Sequence, residues 1–220
     1  MVPKFHLCGA GALLMDVAAR AFDLPTQRRL WSMTAGSGPL RAIRGVRGVI
    51  LGVNNVLVRF DPFVLAPSRL EDGLLRLWRD SVPLDATGRV IEIPVVYEGL
   101  ADSDQATITE HTGLGIEEVI RLHTSVEYHV ACIGSAPGFA YLVGMVPQLA
   151  VPRRRTPRAR VPRGAVAIGG TQTGIIPMDM PSGWNLLGRT DLAMFDPFRA
   201  EPCLFAPGDR VRFTVRSPGP

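Results

Sequence analysis

The sequence predicts an α+β protein in two parts, a small α/β sandwich followed by a β-rich barrel or sandwich. Three observations carry that expectation. Over the first 85 residues short β segments alternate with two helical patterns. Beyond residue 90 short strands recur behind Gly and Pro punctuation. The 220 residues suffice for two modest domains, and an apolar fraction of 46% with 20% charged residues excludes wholesale disorder.

In the N-terminal part, residues 1–85, Phe5 to Cys8 and Ala12 to Val17 are expected as two strands around the Gly9-Ala10-Gly11 turn. Asp23-Leu24-Pro25 opens a helix, with Pro at a tolerated first-turn position. Val46 to Leu51 and Val56 to Phe60 flank Asn54-Asn55, a hairpin turn because Asn tolerates positive φ. Ser68 and Glu71 have capping-box spacing. Leu70, Leu74, Leu77 and Trp78 then form the apolar stripe of a helix laid on a sheet.

Residues 81–90 are the expected linker, and residues 90–220 form the second domain. Ile91 to Val96 is a strand, and two short helices follow; in the second, Ile116 to His123, Val119, Ile120 and His123 share a face. Val126, Tyr128 and Val130 alternate with Glu127, His129 and Ala131, the period of a half-buried strand. Further β segments are expected at Ala165 to Ile168, Trp184 to Leu187 and Leu192 to Phe195, with a last strand in which Val211, Phe213 and Val215 alternate with Arg210, Arg212 and Arg216.

Charge and cysteine usage narrow the function. Formal net charge is +4, and Lys4 is the only lysine. Arginine favours forked recognition of carboxylate or phosphate over diffuse point charge, although genomic base composition gives the same preference. Cys8, Cys132 and Cys203 are odd in number and far apart, which argues against a disulfide framework and fits a reducing compartment. No apolar run of 18 residues and no signal-like opening is present, so the expected location is cytoplasmic, with no membrane partner.

Several chemistries are missing. The four histidines and three cysteines lack metal-ligand spacing. There is no phosphate-binding G-x-x-x-x-G-K-[ST] and no G-x-G-x-x-G after a strand. Gly134-Ser135-Ala136-Pro137-Gly138 fails the G-x-S-x-G spacing of a nucleophile elbow. No nucleophile comes with its own base.

What remains lies between Ala136 and Thr190. Ala136-Pro137-Gly138-Phe139-Ala140-Tyr141 follows a strand and is too rich in Gly and Pro to continue it. It is either a structural turn plugged by Phe139 and Tyr141, or a rigid loop whose amides and Tyr141 hydroxyl face a ligand. The segment 153–163 holds six arginines. A nucleic-acid patch is disfavoured by Pro152, Pro157 and Pro162 and by the lack of aromatic residues. A solvated loop and an anion-holding loop both stay open, with Arg158, just before a strand near Val161, as the best-fixed candidate. Gly169 to Gly174 ends a strand and offers Gln172 and Thr173 as donors and acceptors, or is a plain glycine turn. Trp184 is more often core than ligand platform. Arg189 beside Thr190 suits a carboxylate fork, and His123 on an apolar face is usually a core residue.

Taken together, these segments resemble a known family. Leu122-His123-Thr124, Ala136 to Leu142, Pro152 to Arg158, Val161 to Val166, Gln172-Thr173-Gly174, Gly183-Trp184, Gly188-Arg189-Thr190 and Phe195-Asp196-Pro197 resemble, in order, the KipI family. That family takes in the B subunit of 5-oxoprolinase and allophanate hydrolase subunit 1, and is the family of carboxyltransferase subdomains C and D. The N-terminal half is similar more loosely, through Gly11 to Leu14 and Val58 to Pro62. The chain departs from the family's pattern at Ser135, Ala140, Ile176, Ser182 and Ala10-Gly11, and the loss of a tyrosine at Ile176 leaves the substrate open.

The resemblance implies an N-terminal ferredoxin-like α/β domain and a C-terminal cyclophilin-like β-barrel, the latter a shape without implied prolyl-isomerase activity. It implies ATP-dependent opening of 5-oxoproline to glutamate with a subunit-C-type partner (the KipA or allophanate hydrolase subunit 2 type) and a subunit-A-type protein. ATP, with Mg2+, would act in that complex, with no metal held by this chain. On this view Arg158, Gln172, Thr173, Arg189 and Gly138 bind a small anionic lactam or ureido substrate, and His123 and Tyr141 supply a proton-shuttling or orienting hydrogen bond. Two alternatives stay open. One is allophanate or urea-type carboxyl chemistry, with biotin on another chain; the other is inhibition of a sensor histidine kinase.

Overall fold

Period-2 alternation builds the first sheet. In the computed structural model, which describes residues 2–18, 22–36, 38–84, 88–98 and 103–217, the chain divides into two units, Met1–Ala86 and Thr87–Pro220. The N-terminal unit runs β1 (Lys4–Leu7), β2 (Ala12–Asp16), α1 (Leu24–Thr34), β3 (Val46–Leu51), β4 (Asn55–Phe60) and α2 (Pro67–Asp80). Leu13 and Met15 on β2 lie opposite Val58 and Val56 on β4, and all four are buried against the helices with Leu30, Leu70 and Leu74. One face of the sheet therefore carries the core.

The sheet order β1-β2-β4-β3 is antiparallel throughout. The unit β2-α1-β3 is a split βαβ motif with β4 inserted between its strands, the ferredoxin-like arrangement. The edge place beside β2 is taken by β1. Asp23 caps α1 by accepting the Thr26 amide at 2.7 Å. Asn54 turns the β3–β4 hairpin with φ of 52°.

Three sequence expectations need correction. The Ser68–Glu71 capping box is not formed: α2 starts at Pro67 after Ala66 and has no side-chain cap. Pro67 takes the first helical position, where its fixed φ suits the helix and its missing N–H costs nothing, so the helix begins two residues earlier than the motif suggests. Leu192 to Phe195 is not a strand; only Phe195 pairs, with Cys203. The alternation expected around Tyr128 also breaks, because a register shift between Val130 and Cys132 puts Ala131 and Cys132 in the interior as well. Of the expected linker, residues 85–87 lie outside the described residues.

The second unit contains β5 (Val90–Val95), α3 (Gln105–Thr112), α4 (Ile116–Thr124), β6 (Tyr128–Ile133), β7 (Ala140–Val143), β8 (Arg158–Val161), β9 (Ala165–Gly169), β10 (Gln172–Ile175), β11 (Met180–Ser182), β12 (Asn185–Arg189) and β13 (Arg210–Val215). Seven of the strands form one sheet in the order β12-β9-β10-β7-β6-β13-β5. Its two edges meet where Val96 and Arg189 exchange backbone hydrogen bonds at 2.8 and 2.9 Å. The result is a nearly closed barrel filled by residues such as Ile93, Val95, Tyr128, Leu142, Ile168 and Phe213. β8 and β11 pair separately as a two-stranded ribbon. Among the described residues no helix is long and apolar enough to cross a membrane.

Candidate functional site

Small residues on the outside of the barrel make room for an aromatic floor. Ala165 and Ala167 on β9 and Gly174 on β10 turn away from the barrel core and join a second apolar cluster with Phe139, Val161 and Trp184. A Cβ added at Gly169 would lie 2.6 Å from the Trp184 ring, so only glycine fits beneath that indole. Phe139, Tyr141 and Trp184 meet edge to face, with centroids 5.0, 5.5 and 6.2 Å apart. Above them opens a cleft of about 260 Å3, bordered by Tyr141, Arg153, Arg154, Ile176, Ser182 and Trp184 among others. The guanidinium of Arg153 stands 5.4 Å over the Trp184 ring.

Arginines on one side and rings on the other suit a small molecule with an apolar body and an anionic head. A second cleft, of about 390 Å3, shares Arg153 and Arg154 and adds His111, Arg155, Thr156 and Asn185. Neither cleft is lined by a carboxylate.

Asp104 anchors the arginine side of both clefts. It sits just before α3 with its side chain 3% exposed. Its Oδ1 accepts from Arg154 at 2.5 Å and from Arg158 at 2.9 Å; its Oδ2 accepts from Arg158 at 2.6 Å and from the Leu186 amide at 2.7 Å. Burial pushes this carboxyl up. The Arg158 hydrogen bonds, the Leu186 amide and the two guanidinium charges outweigh that and hold it below the usual carboxylate range. Asp104 was not among the residues singled out from sequence. Its partners lie 50, 54 and 82 residues away, and a lone Asp ahead of a helix signals only a cap. Yet its side chain caps nothing in α3.

The expected site residues scatter. His123 is wholly buried inside the barrel, stacked on Phe213 at 4.4 Å. Its Nδ1 lies 2.9 Å from the Tyr97 hydroxyl and its Nε2 3.0 Å from Thr173 Oγ1, which in turn donates to the Ala167 carbonyl at 3.0 Å. A carbonyl can only accept, so the chain runs one way: Tyr97 donates to Nδ1, and Nε2–H donates to Thr173. Burial pushes the imidazole pKa down to about 3, so the ring is neutral.

Tyr141 is on the other side of the sheet. Its neighbours Ala140 and Leu142 point into the barrel core, and Leu142 pairs with Thr173, while Tyr141 joins the outer cluster. The two expected catalytic residues are thus separated by the sheet. Gly138 has φ of +79°, and a Cβ there would meet the Met194 carbonyl at 2.7 Å; its glycine serves a close backbone approach. Arg158 is the first residue of β8, earlier than expected, and faces Asp104. Gln172 is half-buried on β10 and borders neither cleft. Arg189 is exposed at the end of β12, where its backbone closes the barrel. Of the expected set, Tyr141 alone lines the cleft.

The arginine-rich segment is also less free than its composition suggests. Besides the Asp104 pairs, Arg160 is paired to Asp179, with Nη2 2.5 Å from a carboxylate oxygen. Three of the six arginines are thereby committed to carboxylates of this chain.

Residues 3–205 match the family model described as carboxyltransferase domain, subdomain C and D. The chain belongs to that family. It is 42% identical over 217 residues to the B subunit of 5-oxoprolinase from Escherichia coli O157:H7, covering 98% of this chain and 97% of the relative. Among solved structures it is similar to TTHA0988, with a TM-score of 0.77 at 36% identity over 95% of this chain; it spans 40% of the length of TTHA0988. The K. lactis urea amidolyase gives a TM-score of 0.82 at 19% identity, over 98% of this chain and 15% of its own, a likeness of fold alone. Family membership thus accounts for the order of motifs read along the chain.

Proposed function

We propose that this chain is the B subunit of a heteromeric 5-oxoprolinase, contributing one half of the site at which 5-oxo-L-proline is opened to L-glutamate with hydrolysis of ATP. The observation that carries this reading is the end-to-end identity of 42% with a relative named as the B subunit of 5-oxoprolinase. The cleft supports it chemically. 5-Oxoproline is a five-membered lactam with one carboxylate; its ring suits the Trp184 and Phe139 surface, its carboxylate suits Arg153 and Arg154, and the hydroxyl of Tyr141, which lines the cleft, suits the lactam amide.

Opening an amide requires a nucleophile and a proton donor for the leaving nitrogen. The cleft offers neither a carboxylate nor a histidine, since His123 is behind the sheet. The reacting groups are therefore assigned to partners of the subunit-C and subunit-A types, and the chain alone binds without turnover. ATP and its Mg2+ are assigned to those partners as well. Among the described residues no three His, Cys, Asp or Glu side chains gather as a metal-holding group, and no step is routed through Mg2+. The urea-type alternative has the carboxyltransferase family model and a likeness of fold in its favour, whereas the relative of 42% identity carries the 5-oxoprolinase name.

Mixing the chain with its purified partners and following ATP-dependent loss of 5-oxoproline tests the proposal. Activity should appear only with all subunits present, and Arg154→Ala should raise KM. No turnover by the complete set would overturn it.

A further inference from the structure

We propose that Asp104 is a positioning residue for the anion-binding side of the cleft, acting through Arg154. This rests on the reading of that cleft as the substrate half-site. The carboxylate is saturated: each oxygen accepts two hydrogen bonds, from Arg154, from both terminal nitrogens of Arg158 and from the Leu186 amide. The Asp104 amide also donates to the Leu186 carbonyl at 2.7 Å, so the backbone behind the carboxylate is tied to β12. Arg154 is pinned at its other end, where its amide donates to the Gly183 carbonyl at 2.7 Å. Its Nε is buried without a hydrogen bond among the described residues. The guanidinium thus has one fixed anchor, Asp104, and Arg154 is partly exposed where it borders the cleft.

A long arginine side chain facing a cleft otherwise samples several rotamers, and a substrate carboxylate would have to order it. A charged, fork-shaped anchor removes that cost before the substrate arrives. Arg158 shares the anchor, donating to each carboxylate oxygen and so fixing the plane of the carboxylate. Asparagine at 104 would turn an N–H2 toward a guanidinium, leaving partly buried positive charge without its carboxylate and Arg154 free to swing.

The test uses the reconstituted complex and three variants, Asp104→Asn, Arg154→Ala and the double variant. With kcat within about threefold, Asp104→Asn should raise KM for 5-oxoproline at least about tenfold. Arg154→Ala should raise it as much or more, and the double variant should match Arg154→Ala. A merely structural Asp104 would lower the melting temperature but add its effect to that of Arg154→Ala; such additivity, or an unchanged KM in Asp104→Asn, overturns the proposal. An unchanged KM in Arg154→Ala sinks the reading of the cleft itself. Should Asp104→Asn not fold, Asp104→Glu keeps the charge but displaces it by a methylene. Its KM should rise by an intermediate factor while Arg154 is present and not at all in its absence, and any other result counts against the proposal.

Discussion

His123 Nε2 lies 3.0 Å from Thr173 Oγ1 on the inner face of the barrel, and Thr173 sits opposite Leu142 in the β7–β10 ladder. Tyr141, next to Leu142, looks out of the same sheet toward Trp184. One register therefore decides which of these residues can meet a ligand, and four expectations follow from that and from the packing around it.

His123 should make the fold acid-sensitive. Its folded pKa is pushed down to about 3 from an ordinary value of 6.5, so below pH 6.5 the unfolded chain takes up a proton that the folded chain refuses. The contribution is complete above pH 6.5 and falls as pH drops toward 3, by up to about 1.4 kcal/mol per pH unit. His123→Gln, whose amide can replace the Nε2–H bond to Thr173, should be less stable at pH 7.5 by about 1–3 kcal/mol through lost stacking and the lost Tyr97 bond. Denaturant titrations between pH 6.5 and 4.5 should then show a shallower loss than the parent; equal slopes would refute the buried neutral ring.

Thr173→Val should behave as a core change. It leaves the Nε2–H of His123 and the Ala167 carbonyl without their partner, at a cost of about 1–3 kcal/mol by denaturant unfolding. KM for 5-oxoproline in the complex should stay within about twofold. A large rise in KM without loss of stability would put Thr173 back among substrate contacts.

Gly138→Ala should cost about 2–4 kcal/mol, combining a left-handed backbone with overpacking. The new methyl would stand 2.7 Å from the Met194 carbonyl and 2.8 Å from Phe195 Cβ. Thermal unfolding measures the loss. A variant as stable as the parent would mean that the 136–139 turn is far looser than the geometry indicates.

Trp184→Leu removes the floor of the cleft. It should lower stability by about 2–4 kcal/mol and raise KM about tenfold, with kcat in the complex changed less. Steady-state kinetics on the folded variant separate the two effects. An unchanged KM would move substrate away from this surface.

Local features were legible where local physics decides. The Asp23 cap and the Asn54 hairpin were visible because cap and turn chemistry act over two to four residues. The capping box failed because Pro67 took the first helical position, a competition between two local signals. Leu192 to Phe195 has strand composition but no partner beyond Phe195 with Cys203, and a strand needs a ladder that composition cannot supply.

By itself the sequence determined the family, the class of each unit and the stretch, Ala136 to Thr190, around which the cleft is built. The order of glycines, prolines and arginines there is enough to mark turns and anion-friendly loops. Only the tertiary structure decided which residues border the cleft. A strand turns alternate side chains to opposite faces, so one step of register separates Tyr141 in the cleft from Thr173 and His123 in the core. Only folding, likewise, brings Asp104 to Arg154, Arg158 and Leu186, because ion pairs and hydrogen bonds between residues 50 to 82 positions apart leave no local pattern in the chain.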